Sequence, residues 1–274
     1  MSLLARIVAQ KRAEIAAGAR PHPPDPPLRP GQSGGSATAL SRGLTAVGGE
    51  VPRAPLRLIA EVKFASPSAG PLSRKLDAGE RALAYASAGA TMVSILCDAT
   101  FFGGGFGDLA KARKALDAAG LSVPLLAKEF IIDPVQLEWA SASGADAALL
   151  IARLLDRDAL GALTERAREL GLEPFVEVAT EEERDLALRA GARIVGVNTR
   201  DLDTLSMDPE RAARVLAGIP RGCVAVHLSG LRSAAMVRTV AEGRADAALI
   251  GEALMREDDP APLLRDLVSA ARGG

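Results

Sequence analysis

A short apolar run closed by a charged or amide residue recurs along this chain, and each run is followed by a segment of helical periodicity. Leu58-Ile59-Ala60 leads into Glu61 and Lys63, Val123-Pro124-Leu125-Leu126 into Lys128, Pro174-Phe175-Val176 into Glu177, and Ile194-Val195-Gly196-Val197 into Asn198. Runs of this length between helical patterns read as parallel strands buried on both faces. Burying bare charge is costly unless the charge is paired or used, so charges repeated at strand ends imply one shared mouth.

Strand patterns fall near residues 57–62, 91–96, 123–128, 146–151, 174–178, 193–198, 223–228 and 246–250, and helical patterns near 77–88, 106–119, 134–143, 156–170, 180–190, 208–217, 232–241 and 260–271. Strands alternating with helices pair in parallel through right-handed crossovers, and eight such units predict an α/β chain folded as a single (β/α)8 TIM barrel over residues 51–274. A doubly wound open sheet is the alternative, but it would carry a glycine fingerprint after its first strand, where this chain has Lys63-Phe64-Ala65-Ser66-Pro67-Ser68. Gly89, Gly120, Gly144, Gly171, Gly191 and Gly243 each stand between a helix and the next strand, as left-handed helix caps would, on the face opposite the mouth.

Residues 1–50 form a separate leader. Leu3, Leu4, Ile7, Val8 and Ile15 fall close to helical spacing with Lys11, Arg12 and Glu14 between them, which predicts an extra N-terminal helix near residues 2–17. From Gly18 to Gly49 the composition turns to proline, glycine and serine, as in an extended or flexible tether.

Global composition narrows the function. With 33 Lys and Arg against 34 Asp and Glu there is no basic field for nucleic acid or an anionic membrane. No apolar stretch is long enough to span a bilayer, and the charged N-terminus lacks a signal-peptide core, so a soluble, unexported protein is expected. Cys97 and Cys223 lie in apolar runs without disulfide or metal spacing, which fits a reducing cytoplasm. His22 and His227 have no ligand partners at metal spacing, so a metal-free mechanism is expected.

Side chains alternate along a strand, so Glu61 and Lys63 share one direction, which in a barrel is inward. Lys128, Glu177 and Asn198 close their strands in the same phase as Leu126, Phe175 and Gly196. A lysine beside carboxylates in a partly dry pocket stays protonated and can act as a general acid, while a neighbouring glutamate accepts protons. A ring of neutralising ion pairs closing the barrel top would leave the same pattern. Ser229-Gly230 and Gly251 end the seventh and eighth strands, where barrels often bind phosphate, although glycines also end strands for steric reasons.

These residues resemble the indole-3-glycerol-phosphate synthase family. The resemblance rests on Leu58-Ile-Ala-Glu-Val-Lys63 with Ala65-Ser-Pro-Ser68, on Lys128-Glu-Phe-Ile-Ile-Asp-Pro134, on Phe175-Val-Glu-Val178, on Gly196-Val-Asn-Thr-Arg-Asp-Leu202 and on Leu249-Ile-Gly-Glu-Ala-Leu-Met-Arg256, in order across residues 56–257. It implies a cofactor-free carboxy-lyase of tryptophan biosynthesis that converts 1-(2-carboxyphenylamino)-1-deoxyribulose 5-phosphate to indole-3-glycerol phosphate. Its partner would be that small phosphorylated substrate, with other tryptophan-pathway enzymes as candidate protein partners and neither nucleic acid nor membrane. Lys128 matches the family's general acid and Glu177 its base or proton shuttle. Glu61 and Lys63 match an assisting pair, Ser66, Asn198 and Arg200 match substrate-positioning residues, and Ser229, Gly230 and Gly251 match the phosphate cradle. The N-terminal helix is similar to the family's extra helix over the mouth.

The chain also departs from the family pattern. Leu228 stands before Ser229-Gly230 where an acid is usual, while Phe64, Ala65, Ala69 and Ala127 stand where basic residues are common, so the site's positive charge is expected to be thin. These departures motivate a rival reading, a catalytically weak or silent paralogue that binds a phosphorylated metabolite; another phosphosugar barrel isomerase or decarboxylase is a second rival. His227 is read as facing the helix layer, Trp139 and Tyr85 as packing residues, and Glu181-Glu182-Glu183 as a helix N-terminus complementing the macrodipole. Phe101-Phe102-Gly103-Gly104-Gly105-Phe106 is either an apolar wall for an aromatic ring or a bland flexible loop.

Overall fold

Six of the eight long helices of the barrel start where the local sequence supplies a side-chain acceptor for their free amides. Asp77, Asp133, Asp156, Thr180, Asp208 and Ser233 each accept a hydrogen bond from an amide of the first turn. Glu181, Glu182 and Glu183 fall in the first turn of their helix, as expected from the macrodipole. Such starts, repeated after six of the apolar runs, help divide the chain into strand and helix units.

The computed structural model describes residues 2–18 and 54–273. The strands are β1 (Arg57–Val62), β2 (Met92–Leu96), β3 (Leu125–Lys128), β4 (Ala147–Ile151), β5 (Glu173–Val178), β6 (Ile194–Asn198), β7 (Val224–Leu228) and β8 (Ala247–Ile250). The long helices are α1 (Leu3–Ala16), α2 (Ala78–Ser87), α3 (Phe106–Ala118), α4 (Pro134–Ala142), α5 (Arg157–Glu169), α6 (Glu181–Arg189), α7 (Pro209–Ala217), α8 (Ala234–Glu242) and α9 (Ala261–Ala271). The strands pair in parallel around a closed barrel, because β1 bonds to both β2 and β8. Closure leaves no sheet edge and excludes the open doubly wound alternative. The proline- and glycine-rich tether expected from Gly18 to Gly49, with His22, lies outside the described residues beyond Gly18.

Alternation sorts the strand residues into two layers. Ile59, Met92, Leu126, Leu149, Phe175, Ile194, Val226 and Leu249 fill the barrel interior, while Leu58, Ala60, Val93, Val176, Val195 and Ala248 pack against the helices. His227 pairs in register with Val197 and Ala248 of the outer layer, so it faces the helices as read from the sequence. Its Nε2 lies 3.4 Å from Thr199 Oγ1, and burial pushes its pKa below the usual value. Tyr85 is fully buried, and Trp139 packs edge-on against Phe106 with centroids 6.0 Å apart, so both serve packing.

Three local features differ from the sequence reading. A small two-stranded hairpin of Ala65–Ser66 and Gly70–Pro71 follows β1. Asp98 caps a short helix, Ala99–Phe102, inside the stretch read as a wall or loop. Gly243 has φ −82° rather than the left-handed conformation that Gly89, Gly120, Gly144, Gly171 and Gly191 adopt, so it ends α8 without a left-handed cap.

Candidate active site

Strand alternation delivers Glu61, Lys128, Glu177 and Asn198 from β1, β3, β5 and β6 to the inside of the barrel's carboxyl end, and Lys63 follows β1 in the same phase. They form a chain of alternating charge. Lys63 Nζ donates to Glu61 Oε1 at 2.7 Å, Glu61 Oε2 lies 3.6 Å from Lys128 Nζ, and Lys128 lies 3.6 Å from Glu177 Oε2. Asn198 Nδ2 donates to Glu177 Oε1 at 2.9 Å. The other oxygen of Glu177, Oε2, is buried and is left to its ion pair with Lys128.

The environment fixes the protonation states. Burial by itself would lift the Glu61 carboxyl, but the ammonium groups of Lys63 and Lys128 outweigh it and hold the group below the usual carboxylate range. Burial would lower Lys128, yet the carboxylates of Glu177 and Glu61 raise it above an ordinary lysine. The site therefore presents a protonated lysine beside the ionised carboxylate of Glu61. Gly251, at the end of β8, makes room for this pairing, since a Cβ there would lie 2.5 Å from Glu61 Oε1 and 3.1 Å from Lys63 Nζ.

The remaining candidates surround the same pocket. Ser66 lies in the small hairpin, its Oγ accepting from the amide of Ala69 at 3.1 Å. Arg200 donates its amide to Asn198 Oδ1 at 3.0 Å, which ties the β6 loop to the strand end. Ser229 and Gly230 are both left-handed, with φ 68° and 87°. For serine this is an uncommon conformation of the kind that collects at ligand sites. All ten sequence-nominated residues line one pocket: Glu61, Lys63, Ser66, Lys128, Glu177, Asn198, Arg200, Ser229, Gly230 and Gly251.

The other side of the pocket is apolar. Leu3, Leu4 and Ile7 of α1 face Phe102, Phe130, Leu149, Ile151, Leu228 and Leu249 across the opening. Phe102 therefore belongs to the wall considered for this stretch, whereas Phe106 begins α3 and packs against Trp139. Leu228, 1% exposed, closes the β7 side with hydrocarbon.

Sequence reasoning missed two contributors. Arg232 lines the pocket just past Gly230 and adds positive charge where the motifs suggested little; with no apolar pattern around it, only its distance from the end of β7 marked it. Lys11, one of the polar residues between the apolar positions of α1, is 3% exposed and pairs with Asp98 and Glu129. Its position four residues after Ile7, on the buried face, was the available signal. Among the described residues there is no cluster of three or more His, Cys, Asp or Glu able to hold a metal ion.

A sequence model of the family described as indole-3-glycerol phosphate synthase matches residues 4–267. The indole-3-glycerol phosphate synthase of Mycobacterium ulcerans is 43% identical over 78% of this chain and 76% of the relative, and that of Mycobacteroides abscessus is 44% identical over 78% and 77%. Among solved structures, thiamine phosphate pyrophosphorylase from Pyrococcus furiosus superposes with a TM-score of 0.60 at 15% identity, covering 80% of this chain and 96% of that one. The 3-hexulose-6-phosphate synthase of Salmonella typhimurium gives 0.60 at 17%, covering 79% and 98%. At such identities these structures speak for the barrel alone.

Proposed function

The chain belongs to the indole-3-glycerol phosphate synthase family, and from that premise we propose that the charge chain Lys63–Glu61–Lys128–Glu177 carries its chemistry, with Lys128 as general acid and Glu177 as proton acceptor. The enzyme is a carboxy-lyase of tryptophan biosynthesis acting on a small phosphorylated substrate. It closes the ring of 1-(2-carboxyphenylamino)-1-deoxyribulose 5-phosphate and releases carbon dioxide and water.

In ring closure, the aromatic carbon that bears the carboxylate attacks the ketone carbon, and the carbonyl electrons take a proton. Lys128 is protonated and sits between two carboxylates that keep it so, which supports its delivering that proton. The carbon-carboxylate bond then breaks, and its electrons discharge the iminium left in the ring. Dehydration follows: the new hydroxyl leaves as water and the ring methylene loses a proton. The placing of Glu177, with Oε1 held by Asn198 and Oε2 turned into the pocket toward Lys128, is the observation that supports it as the acceptor. Glu61 and Lys63 hold the charge balance on the far side of Lys128, and Asn198 orients Glu177.

Binding divides along the pocket. Ser66, Ser229, Gly230 and Gly251, with Arg200 and Arg232 nearby, suit the anionic and hydroxylated half of the substrate; the apolar half suits its aromatic ring. Two free thiols support a cytoplasmic setting. Indole fluorescence of product tests the assignment. Lys128→Ala should lower kcat by about 100- to 10,000-fold, and undiminished turnover in that variant would remove Lys128 from the mechanism.

A further inference from the structure

Helix α1 crosses the barrel mouth and is tied at two places. Near its start the amide of Leu4 donates to Oδ1 of Asp203, on the loop after β6, at 3.3 Å. Farther along, the Lys11 ammonium lies 2.8 Å from Asp98 Oδ2 and 3.1 Å from Glu129 Oε2. Glu14 of the same helix is its third carboxylate partner, at 3.1 Å. Asp98 and Glu129 are 0% and 2% exposed, so the ammonium is what compensates two carboxylates held away from water.

Each carboxylate uses its other oxygen on a segment that carries an aromatic ring. Asp98 Oδ1 accepts from the amides of Phe101 and Phe102 at 2.6 and 3.2 Å, and Glu129 Oε1 accepts from the amide of Phe130 at 2.7 Å. The rings of Phe102 and Phe130 lie 5.8 Å apart, tilted by 33°, and both line the pocket. Glu129 also directly follows Lys128. An ion cluster of this kind is a poor way merely to hold a helix down, because hydrocarbon at the Lys11 position would do so without dehydrating three charges. What the ammonium adds is a fixed distance between two segments.

We propose that Lys11 is a positioning residue of the synthase reaction: by bridging Asp98 and Glu129 it sets the Phe102–Phe130 wall, and with it the seat of the substrate's aromatic ring beside Lys128. The inference rests on the reading of this pocket as the substrate site. Because the bridge shapes the seat and leaves the proton-transfer groups in place, its loss should weaken substrate capture more than turnover.

Steady-state kinetics on the full chain test this with two variants. Lys11→Met removes the bridge. Asp98→Asn keeps an oxygen to cap the Phe101 and Phe102 amides but presents no charge to Lys11, so it remains informative should Lys11→Met not fold. In each, KM should rise by about fivefold or more while kcat stays within about threefold of wild type. The double variant should be no worse than the poorer single one, since the two act through one contact. A smaller rise in KM in either folded variant, a loss in kcat instead, or multiplicative losses in the double variant would overturn the proposal. A wild-type protein that forms no indole-3-glycerol phosphate would instead remove the functional reading beneath it.

Discussion

Glu61 touches both lysines of the site, 2.7 Å from Lys63 and 3.6 Å from Lys128, so the acid strength of Lys128 depends on it. Neutralising Glu61 removes one of the two negative charges that raise Lys128, and the lysine's pKa must fall. Glu61→Gln should therefore move the alkaline limb of the kcat profile from above the ordinary lysine range toward neutrality, and a pH-rate series that leaves the limb in place would show that Glu61 does not tune the acid. Gly251→Ala probes the same pairing by sterics. Its Cβ would lie 2.5 Å from Glu61 Oε1, so kcat/KM should fall by about 10- to 100-fold; unchanged kinetics would mean that the pair yields at no cost. The acids and lysines of the site were legible because strand alternation fixes which residues face inward. Which of them touch was not, since the hydrogen bond from Asn198 to Glu177 joins neighbouring strands from positions 21 residues apart.

Among the elements, α1 shows where periodicity stops being sufficient. Its helical character and span follow from Leu3, Leu4, Ile7, Val8 and Ile15, but periodicity places Lys11 only among the polar residues between them, although it continues the Leu4 and Ile7 face. A polar residue on a buried face looks like an error until its partners are known, and Asp98 and Glu129 lie 87 and 118 residues away. The cluster also couples folding to pH. Burial pushes the Glu129 carboxyl up to about 7, against the opposing pull of Lys11 and with a further push from Asp98. Its folded pKa exceeds its unfolded one, so the native state holds the extra proton and stability falls as pH rises from the ordinary carboxylate range through about 7. Glu129→Gln should flatten that decline by up to about 3 kcal/mol. Denaturant unfolding at pH 5 and pH 7.5, compared with wild type, would measure it, and an equal slope in both proteins would count against a titrating Glu129; Glu14, Asp98 and Cys97 also face the cluster.

For the molecule as a whole, the two ends of the barrel do different work. On the face opposite the mouth, Arg113 of α3 is 2% exposed and reaches Asp146 at 3.4 Å and Asp117 at 2.8 Å, while Asp146 also accepts the amide of Leu125. Gly144 admits this arginine, because a Cβ there would meet its Cγ at 2.5 Å. Arg113→Met takes the cation from beside a buried carboxylate and should cost about 3–5 kcal/mol in unfolding free energy, with KM and kcat of the folded enzyme unchanged; a kinetic defect would show that the two ends are coupled. The sequence by itself determined the alternation of strand and helix, the inward phase of each strand and therefore the residues at the mouth, because these follow from periods of two and 3.6 that local steric rules impose. Only the closed barrel decided the partners. It set Lys128 between two carboxylates, gave Lys11 its buried acids, brought Arg232 to the pocket and shaped the apolar wall from α1, because those contacts join segments far apart in the chain whose spacing depends on how the barrel closes.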